Sequence, residues 1–352
     1  MKQIFESHNL GGIQLRNRLV RSATFENGGA EDGIITPFLK ELHGTLAKGQ
    51  VGLIITGMMS VGPNAGISPS MAKIYDESFV EKFSEVTEAV HEQGGKIVVQ
   101  LGHCGAKAAV IDWGDKPFCP SEFKKSKEIS KDEMAMLVKY FGESAAKCKA
   151  AGADGVQIHG AHGYLVSEFL SPFFNKRADE YGGEIQNRAR FLFEIYEEIR
   201  SAVGADYPVF IKINYSDLVE DSITADECAW VCAELEKRGI NAVEVSSGIS
   251  VSRESSSVQG AQAGEGFFSA GGLGIAEKLS IPVFSVGGYR TTEAIEEKLN
   301  EGKLAAISLC RPFVREPNLA ARWSAGDTAP SSCVSCSKCF GTAQLSCALA
   351  EK

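Results

Sequence analysis

No stretch of this 352-residue chain approaches ~20 consecutive apolar residues, so no membrane-spanning helix is expected. Basic residues form no long run. Lys and Arg number 36 against 45 Asp and Glu, a formal net charge of −9, which argues against nucleic acid as a partner. The opening residues, Met1 to Ser7, include an acid and no apolar signal core, so the expected location is the cytoplasm. Internal repeats and low-complexity tracts are missing as well. What is present is ordinary for a globular chain, with 44% hydrophobic and 23% charged residues. A core of that size needs no disulfide staples.

Short apolar runs recur with helical stretches between them. Eight are found: Arg18–Val20, Gly52–Thr56, Lys96–Gln100, Gly155–His159, Val209–Ile213, Ala242–Val245, Pro282–Val286 and Ala305–Leu309. Their near-continuous apolar character suits parallel strands buried on both faces. Helices are expected over Ser78–Gln93, Lys131–Ala151, Asn187–Val203, Thr224–Arg238 and Thr291–Asn300, each stopping at or near a glycine. Alternation repeated eight times predicts an α/β fold, a (β/α)8 TIM barrel over residues 1–330. A doubly wound sheet is the alternative, weakened because no G-x-G-x-x-G follows the first strand. Two connections are long, Gly102–Ser130 and Ser246–Gly272, and loops of that length usually cover a site. After Pro330 the composition changes to a Cys/Ser tail, residues 331–352.

In a barrel of this kind, chemistry gathers where strands end. The fourth strand ends in His159, His162 and Tyr164. Two imidazoles and a phenol suit an oxyanion clamp with a proton donor. His159-x-x-His162 could also be a metal pair, but no acidic third ligand sits beside it. Gln100 closes an apolar strand, where its amide can pair with a heterocycle edge or simply cap the strand in solvent. Lys212 lies within Phe210-Ile211-Lys212-Ile213 and could face an anion or act as a Schiff-base nucleophile. The seventh and eighth strands lead into Gly287-Gly288-Tyr289-Arg290 and Cys310-Arg311-Pro312. Loops at those two places are the usual phosphate site of this architecture.

The stretch from His159-Gly160-Ala161-His162-Gly163-Tyr164-Leu165, through Phe169-Leu170-Ser171-Pro172 and Asn175-Lys176-Arg177, to Asn187-Arg188 resembles the old yellow enzyme family of FMN-dependent NAD(P)H oxidoreductases. Leu15-Arg16-Asn17-Arg18, Gln100-Leu101-Gly102-His103 and Arg311-Pro312-Phe313 extend the resemblance over nearly the whole chain. It implies a barrel holding FMN, with NADH or NADPH as hydride donor. Ala23, Thr24 and Met58 would lie beside the flavin ring, Met58 where the family usually has a small residue. Gln100 would pair with the pyrimidine edge and Lys212 would stand near N1 and O2. Gly288, Tyr289, Cys310 and Arg311 would hold the phosphate. His159 and His162 would bind the activating oxygen of a small-molecule substrate, an alkene conjugated to a carbonyl or nitro group, and Tyr164 would protonate it. The resemblance leaves homo-oligomer formation open.

Cys333-x-x-Cys336-x-x-Cys339, followed by Cys347, resembles the cluster motif of the dienoyl-CoA reductase and trimethylamine dehydrogenase branch. There the fourth cysteine comes later and further domains follow. The four thiols suit [4Fe–4S] or zinc, and a tail of free thiols is weighed above either. The reading that results is an FMN-dependent ene-reductase-like enzyme. A flavin-free lyase using Lys212, and an electron-transfer or assembly subunit using the tail, stand as alternatives.

Overall fold

Eight parallel strands close on themselves in the computed structural model, which describes residues 2–110, 116–254, 256–258, 260 and 263–350. In order they are Leu19–Arg21, Leu53–Ile55, Ile97–Gly102, Gly155–Gly160, Val209–Asn214, Ala242–Ser246, Val283–Val286 and Ala306–Leu309. Each pairs in parallel with the next, and the eighth pairs with the first through Ile307 and Leu19. The chain is therefore the (β/α)8 barrel that the alternation predicts. Most of these strands are buried along their whole length, which explains why they read as unbroken apolar runs rather than alternating ones.

The helices outside the barrel begin and end for local reasons. Lys131–Ala150 starts at a capping box, with the Glu133 N–H donating to Ser130 Oγ and the Ser130 N–H to Glu133 Oε2. Ala225–Lys237 starts the same way at Thr224 and Glu227. The expected 187–203 helix is two pieces, Ile185–Arg188 and Arg190–Val203. It stops at Gly204, whose φ of 82° lies in the left-handed region that favours glycine.

Besides a short pair, Phe118–Cys119 with Lys127–Glu128 in the long third connection, two features escaped the strand pattern. A hairpin of His8–Leu10 and Ile13–Leu15 lies at the N-terminus. Its Leu10, Ile13 and Leu15 pack against Val20, Phe210 and Phe284, plugging the barrel floor. Gly11 turns it with φ 57°, and a Cβ there would crowd the Asn241 carbonyl. The second feature is a two-residue strand, Met59–Ser60, that pairs with Leu101 and Gly102 beside the barrel mouth. With the floor plugged, the open end is the one where strands lead into helices.

The tail lies against the barrel. The Ser331 N–H donates to the Arg290 carbonyl at 2.8 Å, Asn27 Nδ2 to the Ala343 carbonyl at 2.6 Å, and the Leu345 N–H to the Glu26 carbonyl at 3.1 Å. No helix of the described residues is long and apolar enough to cross a membrane.

Candidate active site

A cavity of about 1070 Å³ opens at the strand ends, and Ala23, Thr24, Met58, Gln100, Lys212 and Tyr164 all lie on its wall. His159, His162, Gly288, Tyr289, Cys310 and Arg311 complete the residues anticipated there. The barrel thus brings together side chains from the first strand to the eighth.

The floor of the cavity is a chain of buried hydrogen bonds. Gln100 Nε2 donates to Gln157 Oε1 at 2.8 Å, and Gln157 Nε2 donates to Glu244 Oε2 at 3.0 Å. Glu244 Oε1 accepts from Ser22 Oγ at 2.6 Å and faces Lys212 Nζ at 3.3 Å. Lys212 Nζ also donates to Ser22 Oγ at 2.7 Å. Register explains the set, since Gln100 lies opposite Gln157, and Lys212 lies between His159 and Glu244. Lys212 is 3% exposed and Glu244 fully buried. Of the two readings of Lys212, partner of an anion or Schiff-base nucleophile, the geometry matches the first, because its ammonium is held between a hydroxyl and a carboxylate. Gln157 and Glu244 were missed in the sequence. Each interrupts an apolar strand, and Gln157 lies two residues before His159, hence on the same face.

Above this floor stand the histidines. His159 Nδ1 accepts the Ala161 N–H at 3.3 Å, so its proton resides on Nε2. His162 Nε2 meets Ser246 Oγ at 2.8 Å, which leaves Nδ1 free. The rings are 5.2 Å apart and nearly perpendicular, and the Tyr164 ring lies 4.8 Å from His159. His162 holds a left-handed backbone, φ 63°, with its N–H donating to Asn214 Oδ1. That unusual conformation turns the chain sharply so that the two imidazoles meet. Burial, reinforced by the Lys212 and Lys107 charges, keeps both imidazoles well below their usual titration range. Neutral rings are N–H donors that can stabilise an oxyanion without carrying charge themselves. Burial also pushes the Tyr164 phenol above its ordinary value, so it enters protonated.

Met58 reaches the cavity across Gly102, where a Cβ would collide with its Sδ. The large side chain of Met58 is thus accommodated by a glycine on the neighbouring strand. At the opposite wall, Thr24 Oγ1 and Cys310 Sγ lie 2.9 Å apart, joining the ends of the first and eighth strands. Gly288 has φ 76° and no room for a side chain beside the Phe267 ring. Tyr289 is buried, its ring against Gly266, so it can offer an anion only its backbone N–H. Arg311 Nη1 donates to the Ser335 carbonyl and to Ser337 Oγ, each at 3.1 Å. A guanidinium has five N–H donors, so Nε and Nη2 remain for a phosphate. Glycine, backbone N–H groups and an anchored arginine fit the phosphate of FMN, and the neutral amide of Gln100 fits its pyrimidine edge.

The four tail cysteines Cys333, Cys336, Cys339 and Cys347 line one small cavity of about 150 Å³ that Arg311 and Arg315 also border. They do not converge, and among the described residues no three His, Cys, Asp or Glu side chains are placed to hold a metal ion. Burial pushes the Cys339 thiol up to about 11.

Residues 3–328 match the NADH:flavin oxidoreductase / NADH oxidase family. The chain is 33% identical to an NADPH dehydrogenase of Bacillus subtilis, over 91% of this chain and 93% of that protein. It is 32% identical to a metal reductase of Desulforamulus reducens and 31% identical to an NADH oxidase of Thermoanaerobacter brockii, over 91% and 96% of this chain. It spans only about half the length of those two, 48% and 53%. Among solved structures, morphinone reductase in complex with tetrahydroNAD superposes with a TM-score of 0.80 at 23% identity, covering 93% of this chain and 92% of that one. A 2-naphthoyl-CoA reductase complex superposes with 0.87 at 22% identity, over 94% of this chain and 53% of that one. Those two share the fold. The chain is a member of the NADH:flavin oxidoreductase / NADH oxidase family, the old yellow enzyme family, whose cofactors are FMN and NADH or NADPH.

Proposed function

We propose that this chain reduces alkenes activated by a carbonyl or nitro group. The observation that carries the reading is the convergence of two neutral imidazoles and a protonated phenol over one cavity floor. FMN, when bound, supplies the chemistry of accepting hydride from NAD(P)H and returning it to the β-carbon of the alkene. The chain's own residues do the rest. His159 Nε2 and His162 Nδ1 donate to the activating oxygen and stabilise the enolate or nitronate charge that develops there. Ser246 keeps the His162 ring turned to that task by bonding its other nitrogen. Tyr164 delivers a proton to the α-carbon. Gln100, Lys212 and the loops at Gly288 and Arg311 would hold the cofactor, with Ala23, Thr24 and Met58 beside its ring.

Replacing His159 and His162 together with alanine tests this. Phenols mimic the enolate oxygen, and their long-wavelength charge-transfer band should weaken at least tenfold in affinity, a loss of about 1.4 kcal/mol or more. FMN should stay bound. Release of the flavin instead would place the histidines in the cofactor site. The lyase alternative loses ground because Lys212 is engaged by Ser22 and Glu244 rather than open to a carbonyl. Oxidation of NAD(P)H with a simple enone, by the purified chain alone, would dispose of the subunit alternative.

The tail carries a second reading, a thiolate site for [4Fe–4S] or zinc, favoured by the single cavity its four cysteines line. Among the described residues the four thiols are not drawn together as metal ligands would be. Anaerobically purified protein with stoichiometric iron and sulfide, or zinc, that disappears in Cys336→Ser would support the site. Metal-free protein that retains FMN would reject it.

A further inference from the structure

Six cationic side chains lie on the wall of the large cavity, and among the described residues Glu168 is the only acid there. This is unusual in a chain of net charge −9. Arg290 and Arg311 border the loops where the cofactor phosphate is proposed, and Lys212 is paired with Glu244. Lys107, Lys124 and Lys125 are left without a task.

Lys107 donates from Nζ to the His162 carbonyl, and the same Nζ stands 4.8 Å from the centre of the Tyr164 ring. No carboxylate of the described residues forms an ion pair with it. Glu168, fully buried nearby, interacts with it electrostatically but forms no ion pair with it. Its Oε1 accepts the Ala106 N–H at 2.9 Å, its Oε2 has no partner, and burial pushes its carboxyl up to about 8, so it is largely protonated at neutral pH. Burial lowers the Lys107 ammonium to about 8, the expected cost of holding a cation there, with nearby Glu168 acting in the opposite direction.

Lys124 and Lys125 extend the cationic strip outward. They are exposed, on a turn closed by the Ser126 N–H donating to the Phe123 carbonyl at 2.9 Å. Phe123 is wedged against Phe173 and Phe174, with ring centres 5.9 and 4.9 Å away, so the turn has a fixed base. Lys124 Nζ stands 5.1 Å over the Phe123 ring. The three lysines therefore line the same cavity, Lys107 beside the proton donor and Lys124 and Lys125 where it meets solvent.

We propose that Lys107, Lys124 and Lys125 form a phosphate subsite for the molecule that stacks in the cavity after FMN is in place. The subsite rests on the reading of this cavity as the active site. Lysine ammonium groups bind phosphate oxygens as compact point charges, and three of them lining one cavity suit a multiply charged phosphate group. That phosphate could come from either partner in the reaction. It belongs either to NADH or NADPH, or to an alkene substrate carrying a nucleotide tail, such as a coenzyme A thioester.

The test compares wild type with a Lys124→Gln/Lys125→Gln double variant, both loaded with FMN. Anaerobic stopped-flow would follow reduction by NADH, by NADPH and by 1-benzyl-1,4-dihydronicotinamide, which has no phosphate. Reoxidation would be followed with 2-cyclohexenone and with crotonyl-CoA. If the dinucleotide is the source, second-order reduction by NADH or NADPH falls roughly tenfold relative to the phosphate-free donor, and its salt dependence flattens. If the substrate is the source, the fall is confined to crotonyl-CoA relative to cyclohexenone. A Lys107→Met variant should deepen whichever loss is seen. Unchanged ratios on both arms would overturn the subsite, as would an equal fall for charged and neutral reagents. Wild-type protein that the phosphate-free donor cannot reduce would overturn the reading of the site itself, and the subsite with it.

Discussion

Tyr164→Phe is expected to slow reoxidation of the reduced flavin by an activated alkene by about 10²–10⁴-fold, the range for losing a positioned general acid. Reduction by NAD(P)H should change little, because that half-reaction transfers hydride and needs no proton at the α-carbon. Stopped-flow measurement of the two half-reactions separates them. Equal slowing of both would remove Tyr164 from the role of proton donor. The pH dependence adds a second check with a defined sign. His159 and His162 are shifted down, so they stay neutral as pH falls through 6.5, and Tyr164 is shifted up, so it stays protonated as pH rises through 10. Wild-type reoxidation should therefore show no limb near pH 6.5 from the imidazoles. A limb at that value would mean that at least one ring titrates like an exposed histidine.

Glu244→Ala is expected to be the most destabilising single change in the cavity floor. It strands the Lys212 ammonium, 3% exposed, and takes away acceptors for Ser22 and Gln157. Breaking a buried pair in this way costs about 3–5 kcal/mol. Thermal unfolding should record a fall of several degrees, and FMN retention should fall with it, because Gln100 and Lys212 lose the network that orients them. A Lys212→Met/Glu244→Met double variant should recover much of the stability, since apolar replacement of a buried pair is often neutral. Flavin affinity should not recover with it. Glu244→Ala with wild-type thermal stability would show that the pair does not hold the floor together.

The strand tips at Gln100, His159 and Arg311 were legible because each breaks or ends an apolar run with a residue that such a run does not need. The histidine and tyrosine cluster was legible as a local motif as well. Glu244 and Gln157 carry the same signal, a polar residue inside a buried strand, but their partners lie on other strands and their role has no local signature. Lys107 is harder still, because it sits in a short helical turn of a long loop, Gly105–Val110, where a lysine ordinarily faces water. Only the packing of that loop over Tyr164 turns it inward. The N-terminal hairpin was missed because its three-residue strands, His8–Leu10 and Ile13–Leu15, each carry an exposed polar residue at the centre and so form no apolar run.

By itself, then, the sequence determined the number and order of the strands and the chemical types at their ends, since burial on both faces selects apolar runs and helix stops select glycine. Only the tertiary structure decided which of those ends face one another. Closing the barrel brought Gln157, Glu244 and Ser22 from three strands into one hydrogen-bonded floor and placed Lys212 within it. It also laid Met58 across Gly102, anchored Arg311 in the tail, and left three lysines on the cavity wall without acidic partners among the described residues. Such pairings join residues tens to hundreds of positions apart, and strand register and loop packing, rather than any local pattern, set them.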